Sequence, residues 1–346
     1  MQLCEAMNRR ITCYFLIIIL LVSCKNREYD SSSRTIFVNI DNICELRLKD
    51  GKKTQLDTAL FIGQIKQIAS LDSIIVLHTG DYLYGIDPKS GSLTTTYSRK
   101  GRSDEEYVSL LGFWNEADTL VLYDFEGRKL LYYNLNGAFI KSVSLSEDKG
   151  FQQLCPIGES GHYIGRRVYG IGEIPELSLY DAGFNFERPV GPRMLHSGIK
   201  LNYPFFNTGH SALYSPYFLN DIEEITDSTI AVKYNVDFGK YNFCNSSSKD
   251  DFEFLFELNS SKHAIATYIS NLFESDNRFC FQFVLKDCGL HYCVYNRISR
   301  EACVFKFVGD NESVETIITV DDSVIVIASD AQGAYSLYSF QDFPNP

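Results

Sequence analysis

One pattern recurs along the chain and limits what it can fold into. A polar Asp-Ser-like pair is followed by three apolar, strand-like runs separated by short polar turns. Copies begin at Asp72-Ser73 (IIVL, YLYGID, LTTTY), Asp118-Thr119 (LVLYDF, KLLYYNL, FIKSVSL), Ser160-Gly161 (HYIGRRVYG, LSLYDAG), Asp227-Ser228 (TIAVKYNVDFG), Asp276-Asn277 (RFCFQFVL, LHYCVYN, ACVFKF) and Asp322-Ser323 (VIVIAS, YSLYSF). The intervals are about 42 to 49 residues, with one longer gap of about 67, which is the period of propeller blades. A weaker strand precedes several of the pairs (IKQIAS, VSLLGF, DIEEIT, VETIITV), so each unit has four strands. Alternation with a period of two, in segments rich in aromatic and β-branched residues, excludes a helical solenoid.

Six copies predict an all-β, six-bladed β-propeller over residues 35–346. After Asp322-Ser323 there is room for only two more strands, so the sixth blade lacks its outer one. Residues 35–40 (TIFVNI) are the expected donor, which would close the ring with an N-terminal strand and remove an exposed edge. The long interval is accounted for by an insertion at 191–217, and residues 250–261 read as a second decoration.

The first 23 residues read as an export signal. Asn8-Arg9-Arg10 supply positive charge, and residues 11–21 form an apolar run too short to span a bilayer. Leu21-Val22-Ser23-Cys24 has the order of a bacterial lipobox, with Cys24 as the residue that takes the lipid. Residues 24–34 then form the lipidated cysteine and a polar tether. This predicts a protein anchored in the cell envelope, with the outer membrane as its expected location and the membrane as its first partner. Of ten cysteines, seven lie beyond the signal, an odd number without CxxC spacing, so buried thiols are expected. Cys293 and Cys303 flank a turn centred near residue 298. They are expected as two packed thiols, with a cross-strand bridge feasible only if their Cβ atoms approach within about 4.5 Å.

A formal charge of −12 argues against nucleic acid as a partner, because phosphate neutralisation needs a surplus of Lys and Arg. Lys100-Gly101-Arg102-Ser103-Asp104-Glu105-Glu106-Tyr107, with the strands that follow it, and Asp237-Phe238-Gly239-Lys240 resemble motifs of the six-bladed propeller lipoproteins of Bacteroidetes. That family is broadly similar to NHL and TolB-like propellers. Its first motif is G-x-G-P-x-E-[FY], and here Ser103-Asp104 replace Gly-Pro, which predicts a looser turn. The resemblance covers roughly residues 35–343 and implies location and architecture, with no agreed activity.

Ligands of propellers sit where loops converge on the central channel. The strand count places 99–106, 125–129, 166–173 and 191–217 there. Arg99, Arg102, Arg128, Arg166 and Arg167, with Lys100 and Lys129, would attract an anionic ligand such as an acidic glycan, unless they pair with Glu105, Glu106 or Glu126. Tyr203, Phe205 and His210, among the aromatics and histidines of 191–217, would suit stacking on sugar rings or protein contact, unless they fold inward. The six histidines are scattered, no catalytic fingerprint is present, and no metal or cofactor is expected. The favoured function is a non-catalytic, envelope-anchored propeller that binds a protein or glycan. The alternative is a metal-assisted, lactonase-like hydrolase. Carboxylates or amides converging on the channel from several blades would favour the enzyme, and an apolar channel with an aromatic rim would favour binding.

Overall fold

The computed structural model describes residues 34–341, except 58–59, 61, 72–73, 81, 98, 117, 146–150, 152, 167–176, 191–204, 217–219, 244–255, 257, 259 and 321–322. Three short strands come first: β1 (Arg34–Phe37), β2 (Ile43–Arg47) and β3 (Lys52–Gln55). Six sheets follow, each built from consecutive strands. Blade 1 holds β4 (Ile65–Leu71), β5 (Ile74–Thr79), β6 (Tyr82–Ile86) and β7 (Leu93–Thr96). Blade 2 holds β8 (Leu110–Glu116), β9 (Thr119–Asp124), β10 (Lys129–Asn134) and β11 (Phe139–Ser144). Blade 3 holds β12 (Gln153–Ile157), β13 (His162–Arg166), β14 (Leu177–Tyr180) and β15 (Phe186–Pro189). Blade 4 holds β16 (Phe205–Asn207), β17 (Ala212–Tyr214), β18 (Asp221–Ile225) and β19 (Ile230–Asp237). Blade 5 holds β20 (Ala266–Glu274), β21 (Arg278–Leu285), β22 (Gly289–Asn296) and β23 (Ala302–Val308). Blade 6 holds β24 (Glu312–Val320), β25 (Ser323–Asp330) and β26 (Tyr335–Phe340).

The core explains the sequence pattern. Among the described residues, buried apolar side chains separate into six clusters, one between each pair of neighbouring blades. A central strand therefore buries both faces, in alternation. In β9, Leu120 and Leu122 face blade 1, while Val121 and Tyr123 face blade 3. That is why these strands read as continuous apolar runs, and each such side chain contributes roughly 1.5–3 kcal/mol of burial. Asp87, Asn134, Asp181 and Asn296 each end or directly follow a third strand and accept backbone N–H groups of the next turn, which makes the hairpins of blades 1, 2, 3 and 5.

The ring is closed by an N-terminal strand, but a different one from residues 35–40. β3 pairs antiparallel with β26 and completes blade 6. β1 instead adds parallel to β19 as a fifth strand of blade 4, and β2 adds parallel to β23 in blade 5. Ile36, Val38 and Ile40 enter the core between blades 4 and 5. Their apolar alternation drew attention to the wrong segment, whereas the closing strand, KKTQ, is polar because an outer strand needs little apolar surface. Gly91 packs against this closure: φ is +70° and a Cβ there would lie 2.5 Å from the Gln55 carbonyl oxygen, so blade 1 can approach β3 only with glycine at that position.

One further expectation changes, and that of two unbridged thiols at Cys293 and Cys303 holds. Residues 205–214 are not an insertion, since β16 and β17 are the innermost hairpin of blade 4. Asp227-Ser228 lies between the third and fourth strands of that blade and not between its first and second. Cys293 opposes Val304, and Cys303 opposes Val294. The two thiols thus belong to different interfaces, Cys293 to that with blade 4 and Cys303 to that with blade 6, and no cross-strand bridge joins them.

Candidate functional site

The first strands of the blades, β4, β8, β12, β16, β20 and β24, touch in cyclic order around the axis. They enclose a cavity of about 440 Å³ to which every blade contributes. No Asp, Glu, Lys, Arg or His lines it among the described residues. Its wall is aromatic and aliphatic, interrupted by Gln67, Ser70, Asn115, Asn207, Asn271 and Thr319.

Two of the four amides are committed to the ring itself. Gln67, buried, donates to the Phe113 carbonyl at 2.7 Å and accepts from the Phe113 amide at 3.0 Å, stitching blade 1 to blade 2. Asn271 donates through Nδ2 towards Gln282 Oε1, Thr316 Oγ1 and the Ile317 carbonyl at 3.1, 2.8 and 3.1 Å, which clasps blade 5 to blade 6. It has φ 50°, and Tyr268 three residues earlier has φ 58°. These left-handed residues fall where β20 slips register twice against β21. Such bulges re-aim side chains at some backbone cost, least for Asn.

The other two amides face the cavity with atoms to spare. Asn207 Oδ1 accepts the Gly209 amide at 2.9 Å, leaving its Nδ2 as donor. Asn115 is exposed at the end of β8. Phe206 and Phe273 are half-buried beside each other, with ring centroids 6.1 Å apart. Trp114 is wall and not platform: it packs edge-on against Tyr163, and its Nε1 donates to Glu116.

Of the basic residues singled out in the sequence, none of those described lines this cavity. Arg99 pairs with Glu105 at 2.5 Å, and its guanidinium lies 5.9 Å from the centre of the Tyr133 ring. Lys129 Nζ donates to the Ser103 carbonyl. Glu106 accepts the Ser103 amide, which holds its carboxyl below the ordinary glutamate range. Tyr133 donates to the Glu105 carbonyl, and burial pushes its hydroxyl up to about 12, so it remains a donor. Beneath them Asp124, fully buried, accepts the amides of Val108, Ser109 and Gly127. The turn with Ser103-Asp104 in place of Gly-Pro is therefore tightly tied, contrary to the looser turn expected.

Arg102 and Arg128 are exposed in turns, Arg128 with φ 50°. Arg166 is buried at the end of β13 with Nη1 3.4 Å from Gln153 Oε1, and so is part of blade 3 rather than a rim charge. Phe205 does line the cavity, but it is a core residue stacked on Tyr214. His210 is exposed in the turn after β16, its backbone against Gly158. Cys24, Arg167 and Tyr203 lie outside the described residues.

Sequence reasoning missed the cavity wall because each blade supplies only a few positions to it. One signal was available: Trp114-Asn115, Phe206-Asn207 and Asn271-Leu272-Phe273 set an aromatic beside an Asn at the channel in three blades. Amides from several blades do converge, as an enzyme would require, but among the described residues no carboxylate joins them. Neutral oxygens alone leave the charge of a divalent ion uncompensated, and two of the four amides are already spent. Among the described residues no three His, Cys, Asp or Glu side chains come together elsewhere.

Comparison with known proteins agrees with this architecture. A family model described as DUF5128, a 6-bladed beta-propeller, matches residues 53–323. A Bacteroides fragilis protein described as exported is similar in structure, with a TM-score of 0.68 and 14% identity over 90% of this chain and 100% of that one. A DUF4221 family member from Bacteroides vulgatus has a TM-score of 0.53 and 10% identity over 83% of this chain and 95% of that one. A virginiamycin B lyase from Staphylococcus aureus is more distant, with a TM-score of 0.43 and 12% identity over 83% of this chain and 88% of that one. No curated protein matches the chain in sequence.

Proposed function

We propose that this chain, which belongs to the DUF5128 family of six-bladed β-propellers, is a non-catalytic binding protein of the cell envelope that takes its ligand in the central cavity. The observation that carries this reading is the cavity itself. It is about 440 Å³, shared by six blades, free of Asp, Glu, Lys, Arg and His among the described residues, and furnished with amides and hydroxyls. Among the described residues such a wall offers orientation and burial to a ligand but no carboxylate, imidazole or amine to act as a general acid or base, and so nothing of that kind to activate the Ser70 and Thr319 hydroxyls or the buried Cys155 thiol.

The envelope location rests on the signal-like first 23 residues and on Leu21-Val22-Ser23-Cys24. The description of the Bacteroides fragilis protein as exported agrees with it. Lipid on Cys24 would make the membrane a permanent partner. Loss of the protein from the membrane fraction in Cys24→Ala checks the anchor.

Binding is tested by purifying the full chain from its native envelope and identifying bound small molecules by mass spectrometry. Ser70→Trp, which fills the cavity, is purified alongside, with its melting temperature measured. A molecule present in the parent and absent from a folded Ser70→Trp supports the reading. Identical profiles from the two overturn it.

A further inference from the structure

We infer that the central cavity is a site for a neutral saccharide. This rests on the reading that the cavity binds a ligand, and it assigns the class of that ligand from the distribution of groups around the ring.

In a ring of six, blade 1 lies across the axis from blade 4, and blade 2 from blade 5. Phe206 and Phe273 come from adjacent blades 4 and 5 and make one half-buried apolar corner. Across from it stand Ser70 of blade 1 and Asn115 of blade 2. Asn207 and Asn271 flank the corner, the first with its Nδ2 to give, the second with Oδ1 as its remaining hydrogen-bonding atom. The wall thus offers an aromatic surface on one side, with donors and acceptors beside and opposite it.

Three classes of ligand fit this poorly. A carboxylate, phosphate or ammonium would lose its hydration with no opposite charge on the described wall to meet it. An alkyl chain would bury the amides and the serine hydroxyl without partners, at a cost for each. A flat, fully apolar ring would satisfy the phenylalanines and strand the rest. A pyranose presents a C–H face to aromatic rings and hydroxyls at its edge that both donate and accept, without net charge. The volume of about 440 Å³ lies in the lower part of the roughly 300–1,000 Å³ range of small-molecule sites.

The test is calorimetry on the full mature chain in detergent. The probes are maltose, cellobiose, lactose and N,N′-diacetylchitobiose, with digalacturonate and sialyllactose as acidic counterparts. At least one neutral sugar is expected to bind, and the acidic ones at least about tenfold more weakly. Asn115→Ala is expected to weaken the neutral sugar about tenfold without moving the melting temperature, since Asn115 is exposed. Phe273→Leu, which keeps most of the packing volume but removes the ring, should weaken it similarly. Equal or tighter binding of the acidic sugars, or neutral binding unchanged in both variants, overturns the inference. If no neutral sugar binds while the envelope purification returns a cavity-dependent molecule, the saccharide class is wrong and the binding reading stands. If both fail, both fall.

Discussion

The loop around residues 99–109 and the central cavity are built on opposite terms. The loop gathers six charged residues between 99 and 106, and the charge in and around it is spent locally: Arg99 on Glu105, Lys129 on the Ser103 carbonyl, Glu106 on the Ser103 amide, Asp124 on three amides. The cavity holds no Asp, Glu, Lys, Arg or His among the described residues, yet it keeps amide and hydroxyl atoms in reserve. Charged residues in turns are conspicuous in a sequence and are often structural. Neutral side chains spread one or two to a strand are inconspicuous, and here they make the site.

The sharpest test of that contrast is Asp124→Ala. It strands the Val108, Ser109 and Gly127 amides around a vacated buried position, so a loss of about 3–5 kcal/mol is expected in chemical denaturation. A loss below about 1 kcal/mol would show that the loop is not held as described. Next in size is Gln67→Leu. It leaves the Phe113 N–H and C=O unpaired at the inner edge of blade 2 and should cost about 2–3 kcal/mol. Asn115→Ala, also on the cavity wall, should cost nothing measurable. Equal costs for the two would erase the division of the wall into structural and available amides.

The same contrast explains what could be read from the sequence. Blade count and ring closure by an N-terminal strand were legible because five of six first hairpins carry a polar pair between apolar strands. Blade 4 broke the rule: its first hairpin is Thr208-Gly209-His210-Ser211, and β16 is only Phe205–Asn207, too short to show a period. A real polar pair, Asp227-Ser228, stood in a later hairpin of the same blade and displaced the frame, which made an inner hairpin look like an insertion. The closing strand was hidden by its polarity. The cavity was hidden because its residues are brought together by the ring and by nothing contiguous along the chain.

A change of pH separates the scaffold from the site. His291 is buried on the face of Phe283, its Nδ1 facing the Gly289 carbonyl, and burial lowers its pKa, with Lys306 adding to the effect. The unfolded chain therefore binds this proton more readily than the folded one. Stability should fall as pH drops below the unfolded value of about 6.5, and fall further until the folded imidazole itself titrates. Melting temperatures between about pH 8 and 5 check this, with His291→Gln giving a flatter profile. Binding of a neutral ligand should stay level over the same range, because no carboxylate, imidazole or amine lies on the described cavity wall. A step in affinity near pH 6.5 would place a histidine in the site and break the contrast.

The smallest expected effect comes from Arg99→Ala. The Arg99–Glu105 pair is well exposed on both sides, 42% and 53%. Exposed pairs of this kind contribute about 0.2–1 kcal/mol, and the contact with the Tyr133 ring adds an amount of similar size at most. Removing the guanidinium leaves Glu105 in water and not in a dry interior, so no buried charge is uncovered. A stability loss at or below about 1 kcal/mol is expected, shrinking when salt is raised from about 0.05 to 0.5 M as the pair is screened. The Arg99→Ala, Glu105→Ala double-mutant cycle isolates the pair from the ring contact. Affinity for a cavity ligand should not change, since Arg99 is not among the residues that line the cavity. A tenfold loss of affinity in Arg99→Ala, with stability intact, would instead put the basic loop into the binding surface and make an anionic ligand the better reading.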